Sequence, residues 1–220
     1  MRVLLMHPNY HSGGAEIAGN WPPAWVAYLT GYLKAGGYTD VVFVDAMTNH
    51  LSDDQVRQRI VELQPDVIGC TAITPAIYKA ERLLQIAKEV KPGVVTVLGG
   101  IHGTFMYAQV LKEAPWIDAV VRGEGEQVFL NLVKAVDDGS WARDRHLVRG
   151  VAFQADGKVV ATPAEPTPRP TPAQWFVPGP ATPPALEPVP QPEIPSDPPK
   201  PQPLLDSPEA TPQPDVEVEG

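Results

Sequence analysis

The chain alternates short β-branched runs with longer amphipathic segments, and this alternation constrains its fold more than any other feature. Runs rich in valine and isoleucine predict strands, and apolar residues at the helical period predict helices. Five strands are predicted, at residues 2–6, 41–45, 66–70, 94–98 and 119–122. A helix follows each strand, at residues 22–35, 53–63, 75–90, 105–113 and 124–136. Because each parallel crossover needs a helix, five such units predict a parallel sheet covered on both faces.

Five units favour the flavodoxin-like (Rossmann-like) strand order 2-1-3-4-5, whose ligand cleft lies at the carboxyl ends of the strands, where the order reverses. Asp156 and Gly157 separate two further apolar runs, residues 150–154 and 158–161, which predicts a β-hairpin appended to the sheet edge. Function is expected in the loops at the carboxyl ends of the strands. These loops are residues 7–21, 71–75, 99–104 and 123–126.

The proline content rises abruptly after about residue 160. Twenty of the 27 prolines lie in residues 161–220, which also carry nine acidic and two basic side chains. Such a segment buries too little apolar surface to offset the entropy of ordering it. We therefore predict a folded domain over residues 1–162 and a disordered, proline-rich, acidic tail over residues 163–220.

Composition argues against several classes of protein. No apolar run approaches the ~20 residues of a membrane span, and the N-terminus has no signal-peptide core, so we expect a cytoplasmic protein. Cys70 is the single cysteine, which excludes a disulfide framework, a structural zinc site and a cysteine-ligated iron–sulfur cluster within one chain. No basic block is present, so nucleic-acid binding is not expected.

The first loop argues against a nucleotide enzyme. About 15 residues separate the first strand from its helix, whereas the dinucleotide fingerprint needs a tight glycine turn directly into the helix. The loop carries His7 and His11, and a neutral imidazole there could ligate a metal centre. In the alternative interpretation, His7 makes a hydrogen bond at the strand end and His11 is a solvated loop residue.

Glycines and hydroxyls mark the other loops. Gly99 and Gly100 would let the backbone approach a ligand closely, and Thr71 and Thr74 offer hydroxyls to it. Thr74 could instead cap the following helix. The carboxylates of Glu124 and Glu126 could serve acid–base chemistry, or the dipole of the following helix could simply stabilise them.

Three of these segments, in order and spacing, resemble the cobalamin-binding domain that precedes the catalytic barrel of cobalamin-dependent radical S-adenosylmethionine enzymes: residues 66–71, 97–102 and 120–126. More narrowly, residues 7–21 are similar to the start of the anaerobic magnesium-protoporphyrin IX monomethyl ester cyclases, which build the fifth ring of bacteriochlorophyll. The resemblance covers roughly residues 1–166. It implies cobalamin as the cofactor.

The resemblance also implies site residues. In cobalamin domains an Asp-x-His-x-x-Gly loop supplies the lower cobalt ligand; here Asn9, His11 and Gly14 stand in that pattern, with asparagine replacing aspartate and His11 as the implied ligand. Thr71 and Ile73 take the place of the family's Ser-x-Leu motif. Gly99 and Gly100 match the family's Gly-Gly pair directly. The implied cofactor-binding residues are Asn9, His11, Gly14, Thr71, Ile73, Thr74, Gly99, Gly100, His102, Gly123 and Glu124.

The family's catalytic half carries a Cys-x-x-x-Cys-x-x-Cys motif for a [4Fe–4S] cluster that cleaves S-adenosylmethionine, and this chain has one cysteine. We therefore expect a cyclase-type cobalamin module that stops before the catalytic barrel and binds its cofactor without turnover. A radical S-adenosylmethionine domain and a porphyrin substrate are the implied partners. Two alternatives remain. Residues 12–16 resemble the glycine-rich loop of nucleotide-sugar glycosyltransferases, so the chain could be the N-terminal half of such an enzyme. It could also be a non-catalytic corrinoid or tetrapyrrole carrier.

Overall fold

The computed structural model describes residues 1–10 and 23–166. His11, Gly14 and the segment 167–220 lie outside the described residues, so the predictions made for them are not addressed below. A seven-stranded sheet forms the centre of the fold, in the order β2-β1-β3-β4-β5-β6-β7. The strands are β1 (Val3–His7), β2 (Val41–Asp45), β3 (Val67–Thr71), β4 (Val95–Gly99), β5 (Ala119–Val121), β6 (Val151–Ala155) and β7 (Lys158–Ala161).

The first five strands are parallel, and their order confirms the predicted flavodoxin-like arrangement. β1 lies between β2 and β3, so that Val3 is in register with both Val41 and Val67. The strand order therefore reverses at β1 and β3, where such folds bind ligands. The helices are α1 (Ala24–Ala35), α2 (Asp53–Leu63), α3 (Ile77–Val90), α4 (Gly100–Glu113), α5 (Gly125–Asp137) and α6 (Ser140–Arg143).

Successive side chains of each strand point to opposite faces of the sheet and build two separate apolar clusters. Leu4, Ile68 and Leu98 pack under α2, α3 and α4. Leu5 and Val97, from the alternate positions, pack under α1, α5 and α6. Strands buried on both faces read as continuous apolar runs, as the sequence does here.

The hairpin confirms its sequence prediction. Asp156 and Gly157 both have positive φ, +50° and +72°, which is the requirement of the two-residue type I′ turn. β6 runs antiparallel to β5, so the hairpin extends the parallel sheet at its edge. Ser52 caps α2, accepting from the Gln55 backbone N–H while the Gln55 side chain accepts from the Ser52 N–H.

The fourth helix begins earlier than predicted. The sequence indicated a loop over residues 99–104, but α4 starts at Gly100, directly after β4. The glycines near its start made this first part of the helix unpredictable from the sequence, because glycine disfavours helices. The Thr104 hydroxyl donates to the Gly100 carbonyl at 3.0 Å, and Met106 has non-helical backbone angles where two helical pieces join. α6 and a 3-10 turn at Arg145–Leu147 were also not predicted, since both are too short to show a period.

The residues after β7 remain in contact with the sheet. Thr162 is buried, and the carbonyl of Pro163 accepts from the Gly150 backbone N–H at 2.8 Å. Arg149 donates to the carbonyl of Ala164. The boundary at residue 162 stays a prediction. Across residues 1–10 and 23–166, no helix is both long and apolar enough to cross a membrane.

Candidate functional site

A cavity of about 210 Å³ opens at the carboxyl ends of the central strands, on the face covered by α1 and α5. Its lining comes from the ends of β3, β4 and β5 and from the first turns of the two helices, which is where the strand order predicts a ligand. The lining residues are Trp25, Leu29, Gly69, Cys70, Thr71, Val97, Gly99, Gly100, Val121, Gly123, Glu124, Gly125, Glu126 and Phe129.

The walls of the cavity are mostly apolar. Trp25 and Leu29, one helical turn apart on α1, line it together with Phe129 of α5. Polar groups lie mainly at the mouth, where Glu124 is exposed and the Thr71 hydroxyl ends β3. An apolar slot with a few polar groups near its opening suits a flat ring that carries polar substituents at one end.

Gly69 shapes the floor of the cavity. A Cβ added at this position would lie 3.1 Å from Leu5 Cδ2 and 3.1 Å from Phe129 Cζ. Only glycine therefore lets the phenyl ring come this close to the strand without a shift. Glycine in a strand interior often marks such a close approach.

The glycine pair after β4 combines a tight contact with an open space. Gly100 has a φ of +90°, and a Cβ there would lie 2.5 Å from Thr71 Oγ1 and 2.6 Å from the Ala72 carbonyl oxygen. A Cβ on Gly99 would meet only the Cys70 carbonyl oxygen, at 3.9 Å. The backbone at Gly99 therefore borders free space that any side chain would fill. A ligand could therefore approach the backbone closely at Gly99.

Five of the predicted site residues line this cavity: Thr71, Gly99, Gly100, Gly123 and Glu124. Glycine and hydroxyl signals at the strand ends were sufficient to find them. The sequence interpretation missed Trp25, Leu29, Gly69, Val97, Val121 and Phe129. The isolated glycine inside β3 was a usable signal. The apolar side chains gave no such signal, because the residues of a cavity wall and those of a packed core recur with the same helical period.

Three other predicted residues, Ile73, Thr74 and His102, do not line the cavity. The Thr74 hydroxyl and His102 Nδ1 are 3.1 Å apart, which joins the β3 loop to the start of α4. The alternative role of Thr74 as a helix cap is wrong, because a 3-10 turn at Thr74–Ala76 precedes α3 and neither element has a side-chain cap. Ile73 is 55% exposed beside this pair.

Asn9 lies elsewhere. Its side-chain amide donates to the Leu51 carbonyl at 2.7 Å, and it borders a hollow formed with Ser52 and α3. This position separates Asn9 from the cavity lining. Within the described ranges, no group of three or more His, Cys, Asp or Glu side chains is arranged to hold a metal ion.

The pKa values of His7, which is half-buried, and of Cys70, which is buried, are shifted by desolvation. Burial lowers the pKa of His7, with Asp45 opposing that shift, so the ring stays neutral near pH 7. His7 Nδ1 has no hydrogen-bond partner among the described residues. The strand-end hydrogen bond predicted for His7 is therefore not made by this nitrogen. Burial raises the pKa of the Cys70 thiol, which keeps it protonated and makes it a core side chain, as the fold packs it.

Comparison with known proteins finds similar sequences. The chain is 80% identical over 167 residues to the anaerobic magnesium-protoporphyrin IX monomethyl ester cyclase of Rubrivivax gelatinosus, which covers 76% of this chain and 30% of that protein. It is 58% identical over 167 residues to the enzyme of the same name from Cereibacter sphaeroides, covering 76% and 27%. The chain therefore spans about 30% of the length of these relatives.

Solved structures show the same fold. The radical S-adenosylmethionine methyltransferase TsrM from Kitasatospora setae, bound to cobalamin and a [4Fe–4S] cluster, matches with a TM-score of 0.62 at 20% identity, over 74% of this chain and 29% of that one. The cobalamin-dependent radical enzyme OxsB, with aqua-cobalamin and S-adenosylmethionine, matches with a TM-score of 0.60 at 18% identity, over 76% and 22%. The family model described as the B12 binding domain matches residues 10–133. The chain belongs to the B12-binding domain family.

Proposed function

We propose that this domain binds cobalamin and holds the nucleotide tail of the cofactor in the cavity between the sheet and helices α1 and α5. The observation that carries the proposal is the open space at Gly99, where the nearest atom to an added Cβ, apart from the neighbouring residues in the chain, is the Cys70 carbonyl oxygen at 3.9 Å. An apolar slot beside it, walled by Trp25 and Phe129, suits the heteroaromatic base of the tail.

Each part of the cavity has a task in this proposal. The Thr71 hydroxyl and the half-buried backbone of Gly99 would bind the polar atoms of the tail. Leu29 and Phe129 would cover its apolar ring and exclude water. When bound, cobalamin supplies a redox-active cobalt centre. In this proposal the protein would bury the tail and thereby hold the bound cofactor in place.

The whole-protein activity that best suits this module is that of its relatives. We propose that it serves an anaerobic magnesium-protoporphyrin IX monomethyl ester cyclase, supported by 80% identity over 167 residues to a protein of that name. In this proposal the [4Fe–4S] cluster and S-adenosylmethionine belong to a separate catalytic domain, because Cys70 is the single cysteine and its thiol is buried. The porphyrin substrate would likewise meet that domain.

The test is a titration of the purified chain with hydroxocobalamin, followed by the corrin absorption spectrum and by equilibrium dialysis. The wild type is compared with Gly99→Val, which fills the free space, and with Gly93→Val as the control. A Cβ on Gly93 also meets nothing within 4 Å, but this residue lies outside the cavity, before β4. We expect the wild type and Gly93→Val to bind cobalamin equally.

Gly99→Val should bind at least ~10-fold more weakly, because its isopropyl group would occupy the space of the tail. Its thermal unfolding should match that of Gly93→Val, since valine suits the end of a strand. No binding by the wild type would refute the proposed function. Unchanged binding by a folded Gly99→Val would refute the placement of the tail.

A further inference from the structure

The indole N–H of Trp25 has an unusual environment. Trp25 lines the cavity, and its Nε1 is buried without a hydrogen-bond partner among the described residues. Buried indole N–H groups nearly always have a partner, since leaving one unpaired costs the free energy of its desolvation. Trp116 shows the ordinary case in this protein, because its Nε1 donates to the Glu81 carbonyl at 2.8 Å.

The orientation of the Trp25 ring is set by packing. The ring stacks on His7, with centroids 6.3 Å apart and an interplanar angle of 29°. It meets Phe43 almost perpendicularly, at 6.2 Å and 89°. These contacts hold the ring in place, while Nε1 has no hydrogen-bond partner among the described residues. A donor fixed in this way needs no reorganisation when an acceptor arrives.

An unpaired indole nitrogen does not by itself indicate a ligand. Trp141 also has a buried Nε1 without a partner among the described residues, but it packs against Phe153 and lies outside the cavity lining. Trp25 differs because its side chain lines the cavity. The other lining side chain of α1 is Leu29, so the indole nitrogen is the polar side-chain atom that this helix brings to the described lining residues.

We propose that Trp25 is a specificity-determining residue whose Nε1–H donates a hydrogen bond to an acceptor atom of the cobalamin nucleotide tail. The tail offers such acceptors in its base nitrogen, its ribose oxygens and its phosphate. The domain would thereby prefer complete cobalamins to corrinoids that lack the tail. This inference rests on the proposed function, and the experiment below separates the failure of one from the failure of the other.

The experiment measures two ligands against three proteins. Hydroxocobalamin and cobinamide, which has the corrin ring without the nucleotide tail, are titrated into the wild type, Trp25→Phe and Trp141→Phe. Phenylalanine keeps an aromatic ring and removes the N–H. We expect Trp25→Phe to bind cobalamin about threefold to tenfold more weakly than the wild type, and to bind cobinamide equally well. Trp141→Phe should match the wild type with both ligands.

A second measurement uses the wild-type protein and does not depend on the folding of a variant. The ¹⁵N–¹H resonance of the Trp25 indole, assigned by its loss in Trp25→Phe or by through-bond correlation, should shift downfield with cobalamin and not with cobinamide. An unshifted resonance with bound cobalamin would overturn the inference, as would an equal loss of affinity for both ligands in Trp25→Phe. If the wild type binds no cobalamin, the proposed function fails first.

Discussion

Gly99 and Gly100 are neighbours in the chain, yet the structure gives them opposite tolerances to a side chain. At Gly100 an added Cβ would overlap Thr71 Oγ1 at 2.5 Å and the Ala72 carbonyl at 2.6 Å, and φ is +90°. We expect Gly100→Ala to lower the free energy of unfolding by about 3 kcal/mol, the sum of the left-handed backbone strain and the steric overlap. Urea denaturation followed by circular dichroism measures it.

The matched control is Gly99→Ala, whose Cβ meets only the Cys70 carbonyl at 3.9 Å and whose φ is −122°. Its free energy of unfolding should stay within about 0.5 kcal/mol of the wild type. If Gly100→Ala proved as stable as Gly99→Ala, the close contact between the β4–α4 junction and the β3 loop would be wrong.

At the scale of single residues, the sequence predicted the polar part of the site better than its apolar part. Glycines and hydroxyls at strand ends have few other reasons to be there, and Thr71, Gly99 and Gly123 do line the cavity. Trp25 and Phe129 could not be distinguished from core residues, because helix periodicity reports a buried face and not whether that face is filled. The sequence also could not tell which of the two threonine hydroxyls meets the cavity. Thr71 lines it, whereas Thr74 contacts His102.

Among the secondary-structure elements, the predicted sheet order succeeded because it depends on topology alone. Five strands joined by helices leave few ways to build a parallel sheet. The start of α4 could not be predicted, because the contacts that stabilise it are tertiary. The Ala72 carbonyl accepts from the His102 backbone N–H at 3.2 Å, and the Thr104 hydroxyl donates to the Gly100 carbonyl. These contacts override the low helix propensity of the glycines.

Helix α2 allows a prediction in which stability and binding separate. Ser52 and Gln55 form a reciprocal capping box, with Ser52 Oγ accepting from the Gln55 N–H at 3.3 Å. Ser52→Ala should lower the free energy of unfolding by about 1 kcal/mol, because it leaves an N-terminal N–H of the helix unpaired. Denaturant unfolding provides the measurement.

Cobalamin affinity should be unchanged in Ser52→Ala, because α2 packs on the face of the sheet opposite the cavity. An exposed position later in the same helix, Gln58→Ala, serves as the control and should alter neither quantity, since alanine is a strong helix former. A Ser52→Ala protein with normal stability would contradict the capping box. A loss of affinity without a loss of stability would contradict the separation of the two faces.

On the scale of the whole molecule, the two faces of the sheet differ in what their packing leaves open. The face under α2, α3 and α4 carries the larger of the two apolar clusters in the described residues, with Leu84 and Leu111 fully buried. The other face carries the second cluster, but Gly69 replaces a side chain there and lines the cavity. One face therefore stabilises the fold, while the other combines stability with space for a ligand.

The residues just after β7 make hydrogen bonds to the edge of the sheet, and these contacts lead to a prediction about shortened chains. Thr162 Oγ1 accepts from the Val151 backbone N–H at 3.0 Å, and Arg122 donates to the Thr162 carbonyl at 3.0 Å. Because residues 1–166 supply both apolar clusters and these contacts, deleting residues 167–220 should change the free energy of unfolding by less than about 0.5 kcal/mol. Cobalamin affinity should also be retained, since the described cavity lining lies within the shorter chain.

The control is a chain that ends at residue 161. It loses Thr162 and the Pro163 carbonyl, so the backbone N–H groups of Val151 and Gly150 lose their partners. We expect about 3 kcal/mol less stability, the combined effect of these unpaired buried groups. Urea unfolding of the full chain, residues 1–166 and residues 1–161 compares the three directly. Equal stability of the two shortened chains would show that the segment after β7 does not help to hold the sheet edge. A chain of residues 1–166 that unfolds without cooperativity would place the boundary of the folded domain beyond residue 166.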